Sequence, residues 1–450
     1  MTAVEEVRRE PLSANQEMLC HFDRGDESSG ALGSRHVVVL GWRVRGPVDL
    51  AALRGALDDV VARHEALRTT LVADGADRYQ RIAPPCSPEL RIEDLPADDS
   101  RPRDVRADEF LNDVESRRFD TASPPLLWAV LGRFDPEDAV LALITHHAVS
   151  DGWSQQVIIR DLAAAYAARR GRPHPELPPA RQYREFVAEQ LAGESSDQVV
   201  AAREYWREKL AGAEILGIPG DRPVSADVPS AYAVLRFKID EEITAAVLEF
   251  AREQRSSPFM VLIAAYQLLL SELTGVTDVV APTITAGRGD QSFHHTVGPL
   301  FNLVPLRTDL AGCGSFRELL RRTRATCLEA YAHELPFPEL TAVAPTLERP
   351  YLGGDLAVCS LEVFQFPIGM DREPVAELVV SEVRERLLSH RETSDIPNGV
   401  LWALDIVPSG AMYGAMRFDR NQFDETTLID MVERFRRTLR RVLGDPDAAL

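Results

Sequence analysis

The sequence predicts an α/β protein in which helices and sheets form layers. Stretches rich in β-branched and other apolar residues, such as 36–44 and 139–144, have the pattern of strands. Segments with apolar residues at helical spacing, such as 50–64 and 154–169, follow soon after each of them. Alternation of strand and helix is typical of layered α and β structure. With 45% hydrophobic and 7% aromatic residues, the 450-residue chain can also bury a large core.

Turn and capping residues bound the predicted elements of the first half. The strand from His36 to Val44 ends before Gly46-Pro47, and Asp49 is suited to cap the helix that follows. Residues 67–72 then have an extended pattern. The short apolar run from Ala139 to Ile144 predicts a strand that is buried on both faces. The polar residues after this run therefore stand at a strand-loop-helix junction.

A proline-rich segment divides the chain into two predicted lobes. Residues 171–179 hold four prolines, each of which removes a backbone donor and favours extended geometry in its neighbour. We interpret this segment as the linker between an N-terminal lobe, residues 1–176, and a C-terminal lobe, residues 177–450. Helices are predicted in the second lobe over 183–210, 241–255, 258–273 and 425–442, and strands over 231–239, 278–285, 400–407 and 411–418, the last two joined by a turn at Pro408-Ser-Gly410.

The composition argues against several classes of partner. Fifty basic and seventy acidic residues give a formal net charge of -20, which repels nucleic acid and anionic membranes. The five cysteines form no CxxC pair and no HExxH occurs, so neither a zinc site nor a disulfide framework is predicted. The N-terminus lacks the apolar core of a signal peptide, and no window of 18 apolar residues occurs. We expect a cytoplasmic protein that binds no metal, nucleic acid or membrane.

Two adjacent histidines follow the buried strand and are the candidates for chemistry. Neighbouring residues at a strand end point to opposite faces, so only one of His146 and His147 can face the reactants. Neutral imidazole can accept a proton near pH 7 because its unperturbed pKa is about 6.5. Asp151, beside Gly152 in a tight turn, either accepts hydrogen bonds from the turn or meets a cation. The GxSxG signature of serine acyl-enzymes and the P-loop signature of nucleotide hydrolysis are absent. These residues therefore indicate a direct transfer between two bound substrates, but they do not specify the reaction.

Three motifs, in order along the chain, resemble those of nonribosomal peptide synthetase condensation domains. Residues 145–154, Thr-His-His-Ala-Val-Ser-Asp-Gly-Trp-Ser, resemble the HHxxxDG motif, and residues 63–69 resemble RHExLRT. Residues 297–307 resemble VGxxVNTLPLR. The resemblance extends from about Leu12 to Gly444, although the late RDxSRNPL motif has no recognisable copy. It implies two chloramphenicol acetyltransferase-like lobes arranged as a V, with a tunnel between them and latch and floor segments bridging them.

The resemblance also implies roles for individual residues. His147 acts on the acceptor nucleophile as a general base or by positioning it, whereas His146 is mostly architectural. Asp151, next to Gly152, forms a structural salt bridge for which Arg288 is the expected partner across the lobes. Four further residues are candidates for the site. Arg68 is a candidate for holding the motif loop, with a solvated charge as the alternative. The candidates for lining the tunnel are Asn302, with a cap as the alternative, Trp153, with helix packing as the alternative, and Ser154.

The activity that the resemblance implies is acyl transfer in natural-product biosynthesis. An acyl- or peptidyl-carrier protein supplies an acyl or aminoacyl thioester on its phosphopantetheine arm, and the chain itself binds no cofactor. The acceptor is an amine or alcohol, either a small molecule or carrier-bound, and the product is an amide or ester. Since the resemblance covers nearly the whole chain, we expect a free-standing monomeric enzyme. The alternatives are a non-catalytic docking platform for carrier proteins and an acyltransferase with an acyl-CoA donor.

Overall fold

The computed structural model describes most of the chain. The described residues are 7–23, 31–74, 77–96, 99–223, 228, 230–351, 356–365, 369–396, 399–407 and 409–450. Within them the strands form a six-stranded sheet built mainly from the N-terminal half and a five-stranded sheet in the C-terminal half, with two smaller sheets beside them. Helices cover these sheets, so the α/β layers that the sequence predicts are confirmed.

The helices and strands have the following bounds. Those of the N-terminal half are β1 (Arg8–Glu10), α1 (Ala14–Phe22), β2 (Val37–Arg45), α2 (Leu50–Arg63), β3 (Thr69–Asp74), β4 (Asp77–Ile82), β5 (Glu89–Asp94), α3 (Arg103–Ser116), β6 (Leu127–Asp135), β7 (Asp138–His146) and α4 (Gly152–Arg169). Those of the C-terminal half are α5 (Tyr183–Gly193), α6 (Asp197–Lys209), β8 (Gly217–Pro219), β9 (Tyr232–Ile239), α7 (Glu241–Glu253), α8 (Pro258–Thr274), β10 (Asp278–Thr285), β11 (Asn302–Asp309), α9 (Phe316–Ala332), α10 (Phe337–Val343), β12 (Leu356–Phe364), β13 (Glu373–Val375), β14 (Leu378–Glu382), β15 (Val400–Ile406), β16 (Met412–Asp419) and α11 (Glu425–Gly444).

The six-stranded sheet has the order β13-β14-β2-β7-β6-β5. Its central strand β7 is buried along almost its whole length because side chains of α2 and α4 cover one face and those of α3 cover the other. Strands β13 and β14 come from the C-terminal half of the chain, and β14 pairs antiparallel with β2. The sheet that carries the paired histidines is therefore completed by a distant segment.

The five-stranded sheet has the order β8-β12-β15-β16-β9 and two unlike faces. One face packs against α7, α8 and α11, where the Trp402 ring contacts those of Tyr266 and Phe435. Side chains alternate between the faces along each strand. Glu362 of β12 and Arg417 of β16 consequently lie on the opposite face, which borders a cavity shared with the N-terminal lobe. This second face supplies one wall of the site described below.

Most elements lie within a few residues of their predicted positions, but two differ. The predicted helix over 183–210 is two helices, because Ser196 caps a new one by accepting the backbone N–H of Val199 at 3.3 Å. The extended stretch predicted from Leu67 begins with a 3-10 turn and continues as β3. The hairpin of β15 and β16 is confirmed by antiparallel pairing, although Pro408 of its predicted turn lies outside the described residues.

The predicted linker lies in a stretch without regular structure. Residues 170–182 contain neither helix nor strand and join α4 to α5. The division between residues 176 and 177 stays a prediction. Among the described residues, no single helix is long and apolar enough to cross a membrane. Only α7 and α8 taken together meet that criterion, and they are bent by 112° at their junction.

Candidate active site

The paired histidines lie where β7 ends and α4 begins. His146 is the last residue of β7 and pairs with Val37 of the neighbouring strand β2. Asp151 caps α4, since its side chain accepts the backbone N–H of Ser154 at 2.7 Å. A carboxylate at this position also interacts favourably with the positive end of the helix dipole. The motif thus occupies the strand-loop-helix junction predicted from the sequence.

The His146 ring is buried, and backbone groups engage both of its nitrogens. Nε2 lies 3.1 Å from the carbonyl oxygen of Gly33, and Nδ1 accepts the N–H of Ala148 at 3.1 Å. Because a carbonyl oxygen can only accept, these partners assign the proton to Nε2. Burial lowers the pKa of His146 to about 4. The ring is therefore neutral, and its two hydrogen bonds stabilise the loop.

The His147 ring faces the other way and reaches a cavity between the lobes. It packs between the rings of His36 and Phe301, with centroid distances of 4.9 Å and 4.8 Å. Burial lowers the pKa of His147 below its ordinary value, and the charge of Arg417 acts in the same direction. The Asp151 carboxylate acts in the opposite direction but does not overcome burial. His147 is consequently a neutral imidazole that can accept a proton.

The Asp151 carboxylate joins the motif to the C-terminal half through Arg288. The guanidinium donates from Nη1 to Oδ2 at 2.7 Å and from Nη2 to Oδ1 at 3.0 Å. Oδ2 also accepts the backbone N–H of Leu300 at 3.1 Å. The structure therefore places in contact the pair that the resemblance implies. Both charges are buried and multiply hydrogen-bonded, which is the condition under which a buried ion pair is tolerated.

The residues that continue the motif have structural contacts. Gly152 lies on the cavity wall. The Ser154 hydroxyl accepts the N–H of Gly298 at 3.1 Å, and the Trp153 indole donates to the carbonyl of His294 at 2.9 Å. Trp153 and Ser154 are not among the residues that line the two cavities described below. Their contacts fix a C-terminal loop to the start of α4, and a role in lining the tunnel stays a prediction.

Arg68 differs from its expected placement, whereas Asn302 has contacts of both kinds considered for it. The buried Arg68 guanidinium donates to the carbonyl of Ala83, so it neither holds the motif loop nor is solvated. The Asn302 amide donates to Glu334 at 3.1 Å, and its oxygen accepts the N–H of Phe337 at 3.2 Å. Because Phe337 is the first residue of α10, Asn302 acts as a cap. It also lines the smaller of the two cavities, although its amide groups are already engaged.

Two cavities with shared walls lie at this site, and His147 lines one of them. The larger, of about 300 Å³, lies between the two large sheets and is lined by His147. The smaller, of about 170 Å³, lies on the other side of Met18 and Phe301, which contribute to the walls of both. The described residues contain no group of three His, Cys, Asp or Glu side chains placed to hold a metal ion. The arrangement suits two organic substrates that meet beside a neutral imidazole.

Several residues of this site are absent from the sequence-based predictions. Met18, His36 and Phe301 surround His147, and Glu362 and Arg417 line the opposite wall. A signal was available for the last two, since each is a charged residue inside a largely apolar strand. Phe301 lies within the 297–307 motif, but no local pattern places it, Met18 or His36 beside His147, because these residues meet only through tertiary folding.

The match to a family model decides the classification. The model of the Condensation domain covers residues 11–353 of the chain. The chain belongs to the condensation-domain family. Enzymes of this family are acyltransferases that form amide or ester bonds in natural-product biosynthesis, acting on carrier-bound thioesters and interacting with carrier proteins. Family membership confirms the resemblance seen in the three motifs.

Solved structures match this condensation domain along its length. The SgcC5 protein from Streptomyces globisporus, solved with (R)-(-)-1-(2-naphthyl)-1,2-ethanediol and sucrose, is 42% identical, with 98% of this chain and 100% of that chain covered and a TM-score of 0.94. The X-domain from teicoplanin biosynthesis is 25% identical, with 99% and 98% covered and a TM-score of 0.80. The architecture of two acetyltransferase-like lobes is thus shared.

Curated relatives are much longer proteins. The probable non-canonical nonribosomal peptide synthetase CymA from Salinispora arenicola is 34% identical over 429 residues, which are 91% of this chain and 5% of CymA. The dimodular nonribosomal peptide synthase from Bacillus subtilis is 32% identical over 423 residues, which are 90% of this chain and 17% of that synthase. The chain spans less than a fifth of the length of either relative.

Proposed function

We propose that the chain works as a free-standing condensation enzyme that transfers a carrier-protein-bound acyl group to a separate acceptor, with His147 as the general base. One observation carries the proposal: a neutral His147 ring reaches a cavity between the two lobes, beside the Asp151–Arg288 pair that fixes its loop. The match along the full length of SgcC5 supports a free-standing role.

The reaction is a nucleophilic substitution at a thioester carbonyl. The acceptor loses its proton to the His147 imidazole as its oxygen or nitrogen attacks the carbonyl carbon. The new C–O or C–N bond forms, the C–S bond of the thioester breaks, and the proton passes to the departing pantetheine sulfur. General base catalysis of this kind contributes about 10²–10⁴-fold to rates. Gly152, on the cavity wall beside the ring, leaves room for the reacting atoms.

The acceptor proposed here is an alcohol, so that the product is an ester. Support comes from SgcC5, which was solved with a 1,2-diol and is 42% identical to this chain. A neutral hydroxyl needs its proton removed during attack, which is the role that a neutral imidazole can fill. An amine acceptor would give an amide through the same steps, and the experiment below compares the two.

The test measures product by mass spectrometry after mixing the chain with acyl-loaded carrier protein and an acceptor. A 1,2-diol and the matching amino alcohol are compared as acceptors. His147→Ala is expected to lower the rate at least about 100-fold. His174→Ala, which removes an exposed histidine of the linker, is the matched control and should leave the rate unchanged. Equal rates for wild type and His147→Ala would contradict the proposal.

Other results of the same experiment favour the alternative functions. Turnover with acyl-CoA but not with acyl-carrier protein would indicate a coenzyme A donor. If the wild type makes no product yet binds the carrier protein, a docking platform is favoured. The X-domain from teicoplanin biosynthesis has also been solved as a complex with OxyB, at 25% identity and a TM-score of 0.76 to this chain. The neutral His147 on the cavity wall favours catalysis over such a platform.

A further inference from the structure

Charged side chains that face the larger cavity are unequal in number. Five carboxylates and one guanidinium line it, from Glu115, Glu362, Glu382, Asp395, Asp405 and Arg417. Four of the carboxylates have arginine partners, which are Arg236 and Arg386 for Glu115 at 2.8 Å and 2.7 Å, Arg384 for Glu382 at 2.7 Å and for Asp405 at 3.8 Å, and Arg35 for Asp395 at 3.5 Å. The two groups that remain are the Glu362 carboxylate and the Arg417 guanidinium.

Glu362 is the carboxylate without a partner. Within the described part of the chain, it forms no hydrogen bond and no ion pair within 4.0 Å, and the charge that acts on its pKa is that of Arg417. Asp405 lies 3.8 Å from Arg384, which is already bonded to Glu382 at 2.7 Å. Burial raises the pKa of Glu362 to about 7 and that of Asp405 to about 6, although the charge of Arg417 favours ionised Glu362. A cation bound at this wall would therefore stabilise the ionised carboxylates.

The sheet leaves space in front of Glu362. Glu362 of β12 is level with Ala403 of β15, which in turn is level with Ala415 of β16. Adjacent strands are about 4.8 Å apart, so two alanines in a row leave a trough about 10 Å wide beside the carboxylate. Asp405 lies two residues along β15 from Ala403 and so points to the same side of the sheet. A compact cation in the trough can reach both carboxylates.

We propose that this trough binds a protonated amine on the acyl group, and that Glu362 determines specificity for aminoacyl over unsubstituted acyl thioesters. An ammonium group has three donors and no acceptor, which suits two carboxylates on one wall. We assign the amine to the acyl group because the proposed acceptor is a neutral alcohol. This inference rests on the proposed function, acyl transfer from a carrier protein, and adds the chemical class of the acyl donor.

The test compares two acyl groups that differ only in the amine. Phenylalanyl and 3-phenylpropanoyl thioesters, loaded on carrier protein, are offered to the wild type and to Glu362→Gln. The wild type is expected to prefer the phenylalanyl thioester at least tenfold in kcat/KM. Glu362→Gln should lower that value 10- to 100-fold and change the 3-phenylpropanoyl value much less, so that the preference is lost. Glu373→Gln, an exposed carboxylate on β13, is the matched control and should retain the preference.

A binding measurement separates this inference from the proposed function. Calorimetry with the non-reactive amide analogues of phenylalanyl- and 3-phenylpropanoyl-pantetheine needs no turnover. Amine-dependent binding that is lost in Glu362→Gln would support the inference even if no product forms. Turnover of both thioesters at equal kcat/KM, or a preference that survives Glu362→Gln, would overturn it. A preference that follows an amine on the acceptor instead would also overturn the assignment to the acyl group. Glu362→Gln should retain the wild-type melting temperature, since it removes an unpaired buried charge.

Discussion

Adjacent histidines in this chain differ because their rings face different surroundings. The His146 ring is enclosed, and backbone groups of Gly33 and Ala148 contact its two nitrogens. The His147 ring, one residue later, lies on the cavity wall. Strand geometry alone predicts that only one of them faces substrate. It does not predict which, and that choice follows from the packing of the two sheets.

The lowered pKa of His147 determines the direction of the pH dependence. A base works in its neutral form, so kcat with the 3-phenylpropanoyl thioester should decline only below the ordinary value of 6.5. Arg417→Gln removes a charge that lowers this pKa, so the acidic limb of the kcat profile should move to higher pH. The neighbouring His36 stays neutral, since burial holds its pKa well below 6.5. An unmoved limb in Arg417→Gln would contradict this electrostatic assignment.

The Asp151–Arg288 pair is expected to contribute to stability as well as to the site. Arg288→Ala leaves a buried carboxylate without its cation, which costs about 3–5 kcal/mol. The free energy of unfolding, measured by denaturant titration, should fall by this amount. Arg434→Ala breaks an exposed pair with Asp430 on α11 and is the control, with an expected loss of less than about 1 kcal/mol. Equal losses in the two variants would remove the structural role of Arg288.

At the scale of elements, the loop after β10 depends on a glycine next to Arg288. Gly287 has a φ of +62°, and a Cβ atom there would lie 1.7 Å from the carbonyl oxygen of Leu300. Gly275 has a similar φ of +75° but open space around it. Gly287→Ala should therefore lower the melting temperature more than Gly275→Ala, whose cost is the left-handed backbone conformation alone, about 1–2 kcal/mol. Similar melting temperatures would show that the loop can move aside.

Local signals in the sequence predict most helices and strands but miss what depends on distant partners. Capping by Asp49 and the apolar run of β7 are visible in the sequence, and both are present. The break before α6 has a local signal at Ser196, which the helical periodicity over 183–210 outweighed. The pairing of β14 with β2 has no local signal, since the two strands lie far apart in the chain. Glu362 is an intermediate case. Its place as a charged residue in a largely apolar strand is visible in the local sequence, but the cavity that it faces is formed by distant segments.

At the scale of the whole molecule, the N-terminal lobe depends on a segment of the C-terminal half. Strands β13 and β14 extend the six-stranded sheet, and Val375, Leu378 and Val380 pack into its core. Because of this bridging, the proline-rich segment at 171–179, which we interpret as a linker, does not by itself show which strands complete each sheet. The cavity between the lobes exists only when both sheets are in place.

A fragment of residues 1–176 tests this dependence. It lacks β13 and β14, so the edge of β2 and part of the apolar core would be exposed. We expect the fragment to show no cooperative thermal transition, whereas the 450-residue chain melts cooperatively. Circular dichroism during heating distinguishes the two. A cooperative transition in the fragment would show that the predicted N-terminal lobe folds by itself.

Proton acceptance by His147 in the cavity underlies the proposed reaction, and chemical rescue measures it. The single-turnover rate of acyl transfer is followed by mass spectrometry in His147→Ala, with and without added imidazole. Truncation of His147 to alanine opens space on the wall of the cavity of about 300 Å³, where added imidazole can take the place of the lost ring. We expect a loss of at least about 100-fold, partly restored by imidazole in proportion to its neutral form. A His147→Ala variant that transfers acyl groups at the wild-type rate would contradict this role.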